Sequence, residues 1–229
     1  MSDAQQAAKM VAAQRAADLI EEGMVVGLGS GSTATLFIKV LGEKVKSGLK
    51  IRAIASSAAS ETLARELNIP ITDFDADPVI DLTVDGADEV APGLALIKGG
   101  GGALLREKIV ASASKQFFIV ADKSKIVERL GKFPLPVEVI PMAAPLVSRQ
   151  LQDLALIPTI RHHADGSLYI TDEGNLILDC ASGPELIADP ELLAAEIRAM
   201  VGVVEHGLFL GMADLALIAD TTGVEEHRP

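Results

Sequence analysis

The residues best equipped for chemistry fall between positions 85 and 108. Asp85-Gly86-Ala87-Asp88-Glu89 is followed by a short apolar run, then by Lys98, four glycines (Gly99, Gly100, Gly101, Gly102) and Ala103-Leu104-Leu105-Arg106-Glu107-Lys108. Carboxylates can carry protons or hold hydroxyls, and a lysine can stabilise a developing anion. Four successive glycines suit neither a helix nor a strand, because glycine loses the most backbone freedom on ordering. Such a run persists where the main chain must come close to a ligand. A solvated loop before a charged helix start is the plain alternative.

A second glycine-rich turn strengthens the ligand reading. Met24-Val25-Val26-Gly27-Leu28 is an apolar strand that runs into Gly29-Ser30-Gly31-Ser32-Thr33, and a helix follows through Ala34–Ile38. Strand, glycine-serine turn and helix start together aim free N–H groups and the positive helix end at an anion such as phosphate. Two nucleotide loops, for ATP and for NAD, are disfavoured. The only Gly-Lys pair, Gly131-Lys132, is followed by Phe133 rather than Ser or Thr. The strand after the turn ends in Ala55-Ser56-Ser57, without the acid that would hold a dinucleotide ribose.

The elements that position these clusters alternate. Helices are expected over 3–22, 58–67 and 103–114. Strands are expected over 24–28, 50–54, 71–74, 79–84, 94–97 and 117–121, the last ending in Asp122-Lys123-Ser124-Lys125. Alternation of this kind predicts an α/β fold, a Rossmann-like parallel sheet with helices on both faces. The polar clusters at 29–33, 85–88, 98–102 and 122–125 all follow apolar strands, where ligands of such sheets bind. After Gly131-Lys132-Phe133-Pro134 the pattern changes. A strand at 137–140, a helix at 142–156, strands at 159–161, 168–171 and 176–179, a helix at 190–200 and a strand at 203–206 approximate βαββαβ, a ferredoxin-like α+β unit. An apolar strand over 208–218 returns to the first pattern. The expected division is 1–131 plus 207–229 for the Rossmann-like domain and 132–206 for the inserted one. The tail, Glu225–Pro229, is expected to fray.

Composition narrows the classes. The formal net charge is −12, from 32 acidic and 20 basic residues, and only 3% of residues are aromatic. Nucleic acid is disfavoured by the charge and by the lack of stacking platforms. No stretch reaches the ~18 apolar residues of a membrane helix, and the N-terminus lacks a secretory pattern. The single cysteine, Cys180, has no disulfide partner within the chain and sits in an apolar strand, as a packed thiol does. A cytoplasmic protein is expected. His162-His163 would point to opposite faces of a strand and lacks further ligands, so no metal site is expected. On the residues alone, Glu107 reads equally as a favourable acid in a first helical turn and as a base. The Asp85–Asp88 segment reads equally as a turn, a metal site or a hydroxyl holder, and Lys9 as a solvated lysine.

Taken in order, these motifs resemble ribose-5-phosphate isomerase of the A type. The resemblance rests on Gly29-Ser30-Gly31-Ser32-Thr33-Ala34, Asp85–Glu89, Lys98–Lys108, Ala121–Lys125 and Gly131–Val139, with Asn175–Asp179 and Ala213–Ile218 towards the end. It implies interconversion of ribose 5-phosphate and ribulose 5-phosphate through a cis-enediolate, in the non-oxidative pentose phosphate pathway. It also implies no cofactor and a homo-oligomer, a dimer before a tetramer. Carried over residue by residue, Glu107 is the base, Lys98 and the glycine N–H groups stabilise the enediolate, and Asp85 assists ring opening. Ser30, Gly31, Ser32, Thr33, Asp85, Gly86, Ala87, Asp88, Gly99, Gly100, Gly101, Lys125 and Lys9 would hold the substrate. Leu105 stands where some members carry Thr, and Ala58 where some carry Asp. The competing readings are a sugar-phosphate sensor and an acyl-CoA transferase-like enzyme on a related scaffold.

Overall fold

A computed structural model describes residues 3–184 and 186–229. In chain order the first elements are α1 (Asp3–Ala17), β1 (Val25–Leu28), α2 (Gly31–Lys46), β2 (Arg52–Ala55), α3 (Ala58–Glu66) and β3 (Ile80–Asp85). Next come β4 (Glu89–Ala91), β5 (Ala95–Ile97), α4 (Leu104–Ser112), β6 (Ser114–Asp122), β7 (Leu135–Val139), α5 (Ala144–Asp153), β8 (Ile157–Ile160) and β9 (Leu176–Ala181). The last are α6 (Pro190–Arg198), β10 (Val203–His206), β11 (Leu208–Phe209), β12 (Leu215–Ala219) and β13 (Val224–His227).

Two compact units result. One comprises the chain up to Ala87, Arg106–Ile126 and Gly211–Pro229; the other comprises Asp88–Leu105 and Val127–Leu210. The second unit therefore takes in more than the 132–206 segment marked by the change of sequence pattern. The added residues include β4, β5 and β11, which form a three-stranded sheet of their own in the order β11-β5-β4.

The first unit is built on a six-stranded sheet in the order β13-β12-β6-β3-β1-β2, parallel except for β13. Period-two alternation sends neighbouring side chains to opposite faces. Val26, Leu28, Leu82, Val84 and Val120 join one cluster with the buried alanines of α1 and with Leu36, Phe37 and Leu41 of α2. Val25, Ile54 and Ile80 lie on the other face with Val110 of α4. The stripe Ala8, Ala12, Ala13, Ala16 and Ala17 gives α1 a buried face made of small side chains. The second unit's larger sheet has the order β10-β7-β9-β8, antiparallel throughout. With α5 and α6 it is the expected βαββαβ unit. Val137, Val139, Leu178 and Cys180 pack there with Val147, Leu151 and Ile197. Burial pushes the Cys180 thiol up to about 12, so it is a packed, inert group.

Several local expectations are corrected. The first helix ends at Ala17 rather than at 22, and its last turn tightens into i→i−3 bonds from Leu19 and Ile20. The strands expected at 71–74 and 168–171 reduce to single bridges, Ala53 to Ile71 and His162 to Leu168. The apolar run 208–218 is two strands, β11 and β12, separated by a stretch containing Gly211 at φ +61°. The tail is not frayed: β13 pairs antiparallel with β12, and its acidic residues suit an exposed sheet edge.

Candidate functional site

In the first unit, the turn after β1 brings three groups together. Asp85 ends β3 and is fully buried. Its Oδ1 accepts the N–H of Ser30 at 2.9 Å and that of Gly86 at 2.7 Å. Two main-chain donors on one oxygen fix its orientation. The close approach demands glycine at 29, where a Cβ would lie 2.5 Å from the Asp85 Cα. Gly31 opens α2 at φ +81°, a conformation that side-chain-bearing residues rarely adopt.

Ser30 occupies the N-cap position of α2 but makes no side-chain capping bond. Its hydroxyl instead donates to Glu107 Oε1. Glu107 lies in the first turn of α4 and is 3% exposed. One serine thus touches both carboxylates, Asp85 through its N–H and Glu107 through its hydroxyl. A buried carboxylate held by a hydroxyl on a rigid helix start is suited to take up and return a proton.

A second group in this unit carries positive charge. Lys9 of α1, only 7% exposed, donates to Ser32 Oγ at 3.0 Å and lies 3.8 Å from Asp122 Oδ2. Lys9 is therefore not the solvated lysine that its local sequence suggests. Asp122 ends β6, accepts the Ser124 N–H at 3.1 Å and so organises the single turn Lys123–Lys125. Lys125 is half-buried there; Thr33 is buried, while Gly31 and Ser32 are exposed. Gly86 and Ala87 are half-buried.

The second unit holds the remaining predicted residues. Lys98 follows β5, is 2% exposed, and places its ammonium 5.4 Å from the Phe209 ring centroid. Asp88 Oδ2 accepts the Gly100 N–H at 2.7 Å, and the Gly102 N–H closes onto Gly99 O at 2.9 Å. Two of the glycine N–H groups expected to face a ligand are therefore used internally. Sequence reasoning missed what holds the other side of this run. Arg161 Nη1 donates to Gly99 O at 3.0 Å and Gly100 O at 3.2 Å, and Tyr169 Oη donates to Gly101 O at 3.1 Å. Their sequence signal was weak: an arginine beside a histidine pair, and the one tyrosine of the chain. His162 and His163 make local contacts, Nδ1 to Ile160 O at 2.9 Å and a ring contact with Tyr169. Among the described residues no group of three or more His, Cys, Asp or Glu could hold a metal ion.

Comparison with known proteins is consistent along the chain. A model of the family described as ribose 5-phosphate isomerase A (phosphoriboisomerase A) matches residues 52–223. The ribose-5-phosphate isomerase A of Roseiflexus sp. (strain RS-1) is 51% identical over 222 residues, covering 95% of this chain and 94% of that protein. Among solved structures, ribose 5-phosphate isomerase A from Methanocaldococcus jannaschii aligns with a TM-score of 0.93 at 39% identity, over 98% of this chain and all of that one. A D-ribose-5-phosphate isomerase in complex with phospho-erythronic acid aligns with a TM-score of 0.95 at 39% identity, over the full length of both chains.

Proposed function

The chain belongs to the ribose 5-phosphate isomerase A family, and we propose that Glu107 is the base through which it interconverts ribose 5-phosphate and ribulose 5-phosphate. The observation that carries this assignment is the buried Glu107 carboxylate, seated on a helix start and held by the Ser30 hydroxyl. In the open-chain aldose, Glu107 takes the proton from carbon 2 while the carbonyl oxygen on carbon 1 gains one, giving a cis-enediol(ate). Return of the carboxyl proton to carbon 1, with loss of the proton on the carbon 2 oxygen, gives the ketose. No atom is gained or lost overall.

Asp85 assists ring opening and, with Asp88, holds sugar hydroxyls. Lys98 supplies the cation that the enediolate oxygens need in a water-poor site. The Ser30–Thr33 turn, Lys9 and Lys125 hold the sugar phosphate, and their positive charge offsets the net −12 of the chain. Full-length relatives that share the name isomerase disfavour the sensor and acyl-CoA transferase alternatives.

The same reading puts the protein in the cytoplasm, in the non-oxidative pentose phosphate pathway and in a homodimer. Its one cysteine, buried, suits a reducing compartment. Met142 and Val201, 92% and 84% exposed, offer apolar surface for a second copy, and sedimentation would give the assembly state. A coupled assay on ribose 5-phosphate tests the function. The wild type should turn over, and Glu107→Gln should bind the substrate yet lose about 10²–10⁴-fold in kcat, the usual worth of a general base. Full turnover by Glu107→Gln would remove the base assignment.

A further inference from the structure

We propose that Ser60 is a positioning residue for the isomerisation, a role that rests on the activity proposed above. Through one peptide plane, between Gly29 and Ser30, it sets both the Ser30 N–H on Asp85 and the Ser30 hydroxyl on Glu107.

The need for such a residue begins where the strand stops. The peptide between Leu28 and Gly29 is still served by main chain from either side: Leu28 O accepts the Ser56 N–H, and the Gly29 N–H goes to Val84 O, both at 2.9 Å. The next peptide lies past the end of β1 at Leu28, and both of its polar groups turn to side chains. Its N–H, on Ser30, goes to Asp85 Oδ1 at 2.9 Å. Its carbonyl, on Gly29, accepts the Ser60 hydroxyl at 2.7 Å. Gly29 is buried, where a carbonyl depends on a protein donor.

In a trans peptide the C=O and the following N–H share one plane and point opposite ways. A plane pinned at both ends is not free to turn. Ser60 therefore fixes the very plane that carries the Ser30 N–H. The Ser30 Cα follows from the same plane, so the hydroxyl that donates to Glu107 Oε1 starts from a fixed point.

The setting of Ser60 suits this use. It lies in the first turn of α3 and is 6% exposed. The cap of that helix is Ser57, whose Oγ accepts the Ser60 N–H at 3.0 Å, so α3 does not need the Ser60 hydroxyl to begin. Ser57 Oγ also donates to Ser60 Oγ at 2.9 Å, which leaves the Ser60 proton for Gly29 O.

The test uses Ser60→Ala, Ser60→Thr and the double variant Ser60→Ala with Ser30→Ala in the full chain, by the coupled assay on ribose 5-phosphate and by thermal melts. For Ser60→Ala we expect kcat to fall by about 10-fold, within the ~10² that misplacement on the ångström scale can cost. KM should change by less than about three-fold, because an interaction that serves the transition state lowers kcat without weakening ground-state binding. Ser60→Thr keeps the hydroxyl donor and should recover most of kcat. Ser60 reaches Glu107 through Ser30, so the double variant should lose less than the product of the two single losses. If Ser60→Ala fails to fold, Ser60→Cys, close in shape and with only a weak S–H donor, takes its place in every comparison. A folded Ser60→Ala with wild-type kcat and a lower melting temperature would reduce the bond to a structural role and overturn the proposal. A rise in KM with kcat unchanged would overturn it too, as would losses that multiply fully in the double variant. A wild type inactive on ribose 5-phosphate would defeat the isomerase reading and this proposal with it, an outcome distinct from the others.

Discussion

Replacing Ser30 by alanine should damage Glu107 rather than the helix that Ser30 begins. An N-cap serine ordinarily accepts a main-chain N–H, and its loss costs about 1 kcal/mol. Ser30 makes no such bond, so α2 forfeits nothing on that account. Its N–H to Asp85 is main chain and survives the substitution. What disappears is the hydroxyl on Glu107 Oε1, a hydrogen bond to a carboxylate that is 3% exposed. Bonds to charged groups are worth about 1.5–3 kcal/mol, and leaving a buried acceptor short of a donor costs in the same range. For a chain of this size about 2 kcal/mol corresponds to a fall of about 4–8 °C in Tm. The activity effect should be larger in proportion. A base held less firmly loses part of its alignment, and misplacement on the ångström scale costs up to ~10²-fold in kcat. Thermal melts and the coupled isomerase assay, run on Ser30→Ala and Ser30→Thr together, separate the two effects. Threonine keeps a hydroxyl and should recover most of both. An alanine variant that melts early but turns over at the wild-type rate would refute the idea that Ser30 orients the base.

Other consequences concern stability. Burial holds the Glu138 carboxyl above its ordinary value of 4.5, opposed by donors from Asn175 and Thr171 and assisted by the nearby charges of Glu173 and Glu205. The folded state then keeps this proton to higher pH than the unfolded chain. Its stabilising contribution is full below about 4.5 and is lost as pH rises through the raised value. Glu138→Gln retains an acceptor for the Asn175 and Thr171 donors and cannot ionise, so its Tm should gain on wild type more at pH 8 than at pH 5; an equal difference at both would refute the burial argument. Gly29→Ala must push a Cβ against the Asp85 main chain, at 2.5 Å from its Cα. Overpacking of this kind costs about 1–3 kcal/mol in a denaturant melt, and the displaced Asp85 should take activity with it.

Much of the site could be read from the chain because its parts are local. Ser30 to Thr33 announce themselves by a strand, a glycine-serine turn and a helix start in succession. Glu107 stands out as an acid just after a glycine run. The clamp on that run could not be read in this way. Arg161 and Tyr169 reach Gly99, Gly100 and Gly101 from more than 60 residues away, through a pairing of strands that no periodicity specifies. The diverted hydroxyl of Ser30 is likewise a long-range fact, since an N-cap serine before a helix reads as a cap. Strand β4 was missed because three residues are too few to show a period. The tail strand β13 was missed because Glu225 and Glu226 look like solvent-facing residues, which at a sheet edge they are.

The central claim is that Glu107 carries the proton between carbons 2 and 1. Its most direct measurement is NMR of ribulose 5-phosphate formed, or ribose 5-phosphate recovered, in deuterated water. With the wild type, solvent deuterium exchanging onto the carboxyl should appear at carbon 1 of the ketose and, on reversal, at carbon 2 of the aldose. Glu107→Gln should bind ribose 5-phosphate and incorporate no deuterium at either carbon beyond the uncatalysed background. Incorporation by that variant at the wild-type rate would contradict the account.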